Sequence, residues 1–254
     1  MKRRKKSVAG CLVLLLLTAI WKLALPSAEE TVLPIPTQPL TQVEEDALLP
    51  TREQENVPNT VPLYEDGMPQ VVELDGGVPS FSAEELSAEP YESYAPLDEL
   101  GRCGTAAAML DLSLMPTEER GSIGQVKPSG WHTVRYDDLI PDKYLYNRCH
   151  LIAFCLAGEN ANERNLITGT RAMNLAMLPY ETMVAQYIET TGDRVAYRVT
   201  PRFIGAELVA RGVEIEAQSV LDPAGISLHV FCYNVQDGVT IDYLTGESWR
   251  NEAR

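Results

Sequence analysis

Four stretches in the last third of the chain alternate apolar and polar residues with period two: "RVAYRVTPRFI", "LVARGVEIEAQSV", "ISLHVFCYNVQ" and "VTIDYLTG". Period two puts successive side chains on opposite faces, so these read as strands of a mostly antiparallel sheet. Further upstream, "PQVVELDGGVPSF" predicts a strand, a tight turn at Asp75-Gly76-Gly77 and a second extended piece. In "SAEELS", Ser82 lies three residues before Glu85, the capping-box spacing of a short helix. "LGRCGTAAAMLD" fits strand or helix, and "TEERGSIGQVKPSGWHTV" is broken by Gly and Pro into loop. Between these blocks "RNLITGTRAMNLAML" predicts a helix ending before Pro179. A second helix follows in "PYETMVAQYIETTG", with Pro179 in its first turn and Gly192 near its end. Its stripe is Met183, Val184, Tyr187 and Ile188. Strands, a helical pair and more strands define an α+β domain over residues 69–250.

Ahead of that domain the pattern stops. Residues 1–28 hold six Lys/Arg and no acid, and a basic run precedes the apolar "VAGCLVLLLLTAIW". This is the layout of a signal peptide or an N-terminal membrane anchor, which puts the rest of the chain outside the cytoplasm. Residues 29–68 are rich in Pro, Thr, Glu and Gln with few aromatics, the composition of an acidic disordered tether. The net charge is −15, and residues 29–100 alone carry −16 against −5 for residues 101–254. Such a balance excludes a protein that coats nucleic acid, but not one that grips a few phosphates.

Chemistry concentrates in "YLYNRCHLIAF" and the run behind it. His132 and His229, the other two histidines, sit in segments that read as packed or edge positions. His150 has Arg148 two residues before it and Asn160, Asn162, Asn165 and Asn174 after it. Asn174 falls inside a helical pattern, where asparagine is a poor choice without a reason.

The ordered set "YNRCHLIAFCLAGENANERNLITGTRAMN…MLPYE" resembles the DNA/RNA non-specific endonucleases, the ββα-metal or His-Me finger nucleases, and among them the streptococcal DNA-entry type. The likeness runs from about Val71 to about Gly246. It implies a central ββα-metal motif and a sequence-tolerant phosphodiester hydrolase acting on DNA, with RNA as a second substrate. His150 would be the general base that activates water, a task suited to an imidazole. Asn174 would hold a hydrated Mg2+, with Mn2+ as a substitute, and Glu181 would reach the ion through a water. Mg2+ keeps several waters, so few protein ligands suffice. Arg148 would contact phosphate, and Asn165 would order the site. Lys127, Arg164 and Arg171 are candidate contacts to the nucleic-acid backbone. Membrane association would involve only the N-terminal segment.

The chain departs from the family motif Asp-Arg-Gly-His in two places, at Asn147 and Cys149. Loss of the carboxylate should weaken the hold on metal, and the cysteine implies that φ > 0 is not needed there. Cys103, Cys149, Cys155 and Cys232 read as small buried residues. Two alternatives stay open: a non-catalytic nucleic-acid-binding relative on the same fold, and a hydrolase using Cys149 as nucleophile with His150 as base. Adjacent strand residues face opposite ways, which counts against that dyad.

Overall fold

A computed structural model describes residues 61–251, which lie in the unit Asn56–Arg254. The segment at 1–28 and residues 29–60 of the acidic stretch are outside the described residues. In chain order the elements are β1 (Val71–Glu73), α1 (Ala83–Ser87), β2 (Tyr91–Tyr94), β3 (Ala106–Leu110), β4 (Tyr146–His150), α2 (Phe154–Ala157) and β5 (Leu166–Thr170). They continue with α3 (Arg171–Thr191), β6 (Val195–Arg202), β7 (Gly212–Ser219), β8 (Ser227–Tyr233), β9 (Val239–Ile241) and β10 (Ser248–Arg250).

Three of the four stretches read from period two, β6, β7 and β8, lie together in a six-stranded antiparallel sheet of order β1-β8-β7-β6-β3-β2, whereas the fourth, "VTIDYLTG", supplies only β9, which pairs with β10 in a separate ladder. The ambiguous "TAAAML" is strand β3, and its small alanines let covering elements approach closely. Val195, Tyr197 and Val199 of β6, with Val213, Ile215 and Ala217 of β7, point to one face and are buried. Met173, Met177, Val184 and Ile188 of α3 cover that face. Each fully buried aliphatic there contributes about 1.5–3 kcal/mol. The opposite face carries Glu214, Glu216 and His229, over which residues 75–85 fold. Ser80 bonds Glu216 by its N–H and hydroxyl, and Phe81 lies 4.6 Å under Arg198. The capping box at Ser82 and Glu85 is formed in both directions. Tyr64 already packs edge-on against Tyr233 at 5.2 Å, so folded chain reaches back before residue 69.

One expectation needs correcting. The pair of helices meeting at Pro179 is a single helix of 21 residues, α3, and "LITGT" before it is strand β5. A proline inside a helix costs about 3 kcal/mol because it removes a hydrogen bond and crowds the preceding turn. Pro179 and Leu175, whose carbonyl loses its partner, both lie on the exposed side, where water can serve that carbonyl. The buried stripe continues unbroken past the proline, and tertiary packing carries the helix through.

Candidate active site

β4 and β5 form a separate antiparallel ladder, with His150 opposite Leu166 and Asn147 opposite Gly169, and α3 follows directly. This ββα unit sets every candidate group. α3 is anchored at its start: Thr170 caps it by accepting the Met173 N–H at 3.0 Å. Buried Asn234 accepts the Thr170 N–H at 2.7 Å and donates to the carbonyls of Thr168 and Ala210. At the other end of the ladder, Asn165 is fully buried and imitates a strand backbone. Its amide oxygen accepts from Ile152 N–H at 2.8 Å and its amide nitrogen donates to Ile152 O at 2.9 Å. It therefore clamps the turn after His150 and positions that residue, without reaching the cleft.

His150 is buried, and both ring nitrogens are engaged. Arg120 Nη2 lies 3.2 Å from Nδ1, and the Asn160 carbonyl lies 2.8 Å from Nε2. A guanidinium can only donate, so Nδ1 holds the lone pair and Nε2–H donates to Asn160. Burial, with the charge of Arg120 in addition, lowers the imidazole pKa although the Asn160 bond opposes this. The result is a neutral imidazole in one fixed tautomer, its lone pair turned toward Arg120.

Arg120 connects His150 to a cavity of about 410 Å³, which it lines with Asn147, Arg148 and Asn174. Arg148 and His150 share one face of β4 and Asn147 the other; because β4 pairs on one side only, the cavity wraps its open edge. Arg148 is held firmly there. Its Nε donates to the Val126 carbonyl and Nη2 to Gly124 O at 2.9 Å, and its guanidinium stacks 4.0 Å from the Trp131 ring centre. Nη1 makes no hydrogen bond among the described residues.

Asn174 and Glu181 lie seven residues apart on α3, two turns along one face. Burial pushes the Glu181 carboxyl up to about 7, with Arg120 as the one opposing charge. Neither side chain makes a hydrogen bond among the described residues. An amide oxygen and a half-buried carboxylate left without partners suit a hydrated divalent cation, which needs few protein ligands. A second group can be drawn from Glu214, Glu216 and His229, whose ligand atoms fall within 4.8 Å of one another. It lies on the opposite sheet face, and Arg198 and Arg202 already neutralise its carboxylates. That chemistry does not favour a metal.

Other expected contacts fall elsewhere. Lys127 and Arg164 are exposed and outside the cavity, and Arg171 is ion-paired with Asp142. Cys149 points into the core, fully buried, with its thiol pKa pushed far up by burial, so it is no nucleophile for His150. Cys103 and Cys232 are also buried free thiols, whereas Cys155 is exposed, contrary to expectation, because α2 turns it outward. The thiol of Cys149 and the end of Met173 occupy the space a side chain at Gly169 would need, so glycine stands there, diagonal to Cys149 on the ladder. His132 binds the Thr245 carbonyl at 3.1 Å and takes no part in the site.

Arg120 was not foreseen, and Asn160 stood only as one of four asparagines behind His150, with no role. The only sequence signal is Gly121: a Cβ there would meet the Asn160 amide nitrogen at 2.8 Å, so glycine lets the Arg120 loop lie against the residue that holds His150.

A neutral histidine, Arg148 and an asparagine–glutamate helix face on the ββα unit, with Arg120 from the loop before it, are groups able to bind and hydrolyse a phosphate ester. Residues 82–220 match the family described as DNA/RNA non-specific endonuclease, and the chain belongs to that family. A deoxyribonuclease from Streptococcus dysgalactiae subsp. equisimilis is 33% identical over 111 residues, 41% of this chain, and the match spans 33% of that relative's length. The crystal structure of NucA from Streptococcus agalactiae with magnesium ion bound superposes with TM-score 0.64 at 28% identity, over 71% of this chain and 88% of NucA. The Sda1 nuclease with bound zinc ion shares the fold, with TM-score 0.60 at 23% identity over 72% of this chain and 97% of that one.

Proposed function

We propose that this chain is an exported, metal-dependent endonuclease that hydrolyses phosphodiester bonds of DNA without reading sequence, with RNA as a second substrate. The observation that carries the reading is the Arg120–His150 pair at the edge of a cavity also lined by Arg148 and Asn174. Arg120 and the free Nη1 of Arg148 would take the non-bridging oxygens of the scissile phosphate, as guanidinium forks do. A phosphate is a stronger partner for Arg120 than a neutral imidazole. Substrate would thus draw Arg120 off Nδ1 and leave that lone pair to accept a proton from the attacking water. Nε2–H stays on the Asn160 carbonyl, which holds the ring and stabilises the charge it gains. Asn174 and Glu181 would hold Mg2+, with Mn2+ as substitute; the ion supplies charge stabilisation for the phosphate and the leaving oxygen. All these contacts go to phosphate, which carries no sequence information. The name of the deoxyribonuclease relative supports DNA as the main substrate. The basic-then-apolar N-terminus supports action outside the cytoplasm.

Nicking of supercoiled plasmid tests the reading. Activity is expected with Mg2+, lost in EDTA and reduced about 10²–10⁴-fold by His150→Ala. Full activity of His150→Ala, or full activity in EDTA, would overturn it.

A further inference from the structure

The cavity beside the phosphate-gripping groups has a second wall that the hydrolysis does not use. Beyond Arg148 it is built from Trp131, Thr133, Tyr144, Tyr146 and Ile123. This wall is preformed. Trp131 packs on a small core of its own, made by Tyr136, Ile140, Leu145, Tyr146, Val239 and Ile241. Tyr146 is further pinned by its hydroxyl, which donates to Gly246 O at 2.9 Å. Tyr144, by contrast, leaves 46% of its surface open. A phosphate needs polar partners, which aromatic rings do not supply. A nucleobase suits this wall, since every base has a face that stacks on aromatic rings whatever its sequence. The volume of about 410 Å³ lies within the range of small-molecule sites, and the polar mouth fixes which part of a nucleotide lies where.

We propose that this pocket is a nucleobase subsite, taking the base next to the scissile phosphate out of its stack against the face of Tyr144 that Arg135 leaves free, while Trp131, already stacked by Arg148, closes the wall behind it. The proposal rests on the nuclease reading for the placement of the phosphate. A base inside a duplex must first be unpaired and unstacked to enter, so single-stranded, looped or frayed nucleic acid is the favoured substrate. Tolerance of sequence is kept because stacking does not discriminate bases.

The test is binding of fluorescent single-stranded oligothymidylates to the His150→Ala full-length protein by anisotropy, with an abasic nucleotide moved one position at a time. One abasic position is expected to weaken binding about tenfold, in keeping with one lost base–aromatic stack. Tyr144→Ala is expected to cause the same loss and to make that abasic position silent, while Tyr144→Phe keeps wild-type affinity. Abasic positions and Tyr144→Ala that each change affinity less than twofold would overturn the subsite, as would two losses that simply add. Plasmid nicking by the wild-type chain runs alongside. Nicking without any abasic effect removes the subsite and leaves the nuclease; an abasic effect without nicking does the reverse. Circular dichroism of Tyr144→Ala keeps a folding defect from counting as either.

Discussion

Arg120 is the residue on which the proposed chemistry turns. It neutralises the approach to His150, opposes the burial of Glu181 and lines the cavity. Replacing it with alanine should lower plasmid nicking by on the order of 10²-fold, the usual loss when one preorganised donor to transition-state charge is removed. Because the arginine charge helps to hold the His150 pKa down, its loss should also move the acidic limb of the pH–rate profile to higher pH. Lysine should restore that limb but little of the rate, being a point charge without a fork. Glu181 gives a separate prediction. Its carboxyl is raised to about 7, so between about 4.5 and 7 the folded metal-free chain binds more protons than the unfolded one. Stability in EDTA should therefore fall as pH rises through that window. Glu181→Gln should match wild type at pH 4.5 and exceed it at pH 8 by on the order of 2 kcal/mol, read from urea melts, after allowing for partial solvent screening. At this scale the sequence names His150, Asn174 and Glu181 as candidates, because a motif fixes their order along the chain. Arg120 and the role of Asn160 were not legible, because both lie in loops whose positions depend on what they touch.

Among the elements, the ladder of β4 and β5 and the start of α3 carry the precision of the site. Asn165 makes the turn after His150 behave as one more rung. Asn165→Ala would strip partners from a buried N–H and a buried carbonyl of Ile152, each worth about 1–3 kcal/mol when left unpaired. A loss of about 2–4 kcal/mol is expected in chemical denaturation, with a fall in kcat as the ring of His150 loses its fixed place. Cys149→Ala should do the opposite in kind: about 1 kcal/mol of stability from the lost sulfur packing, and nicking within about twofold of wild type. A dead Cys149→Ala enzyme that still folds would reinstate the thiol as a nucleophile. The strands β6, β7 and β8 were read correctly from period two because one face is apolar and the other polar or charged. α3 was misread as two helices, since a proline and a short apolar strand in "LITGT" look like a boundary when only local preference is weighed. The Met173-to-Ile188 stripe, which settles the matter, is a property of what packs on it.

For the molecule as a whole, the open question is how an acidic protein approaches a polyanion. The net charge is −15, and the described candidates for a basic track, Lys127, Arg164 and Arg171, lie outside the cavity or in an ion pair. On the proposed reading the contacts with phosphate reduce to two guanidiniums, Arg120 and Arg148, and a cation that Asn174 and Glu181 would hold. Each phosphate contact contributes a slope of about −0.9 to log affinity against log salt on duplex DNA. Two give about −2, far shallower than a protein with a long basic groove. At low salt the opposite force acts. Repulsion between the acidic chain and DNA extends over a Debye length, about 30 Å at 0.01 M and about 10 Å at 0.1 M, so added salt removes it. The expected kcat/KM on plasmid therefore rises from the lowest salt, passes a maximum and then declines with a slope near −2, measured in NaCl at fixed Mg2+. Deleting residues 29–60, which carry a net −6 against −10 for residues 61–100, should lessen the rising part without abolishing it and leave the falling part unchanged. A monotonic decline with a slope of about −5 or steeper would mean that DNA binds along an extended basic surface, and that two arginines at a strand edge are not what holds it.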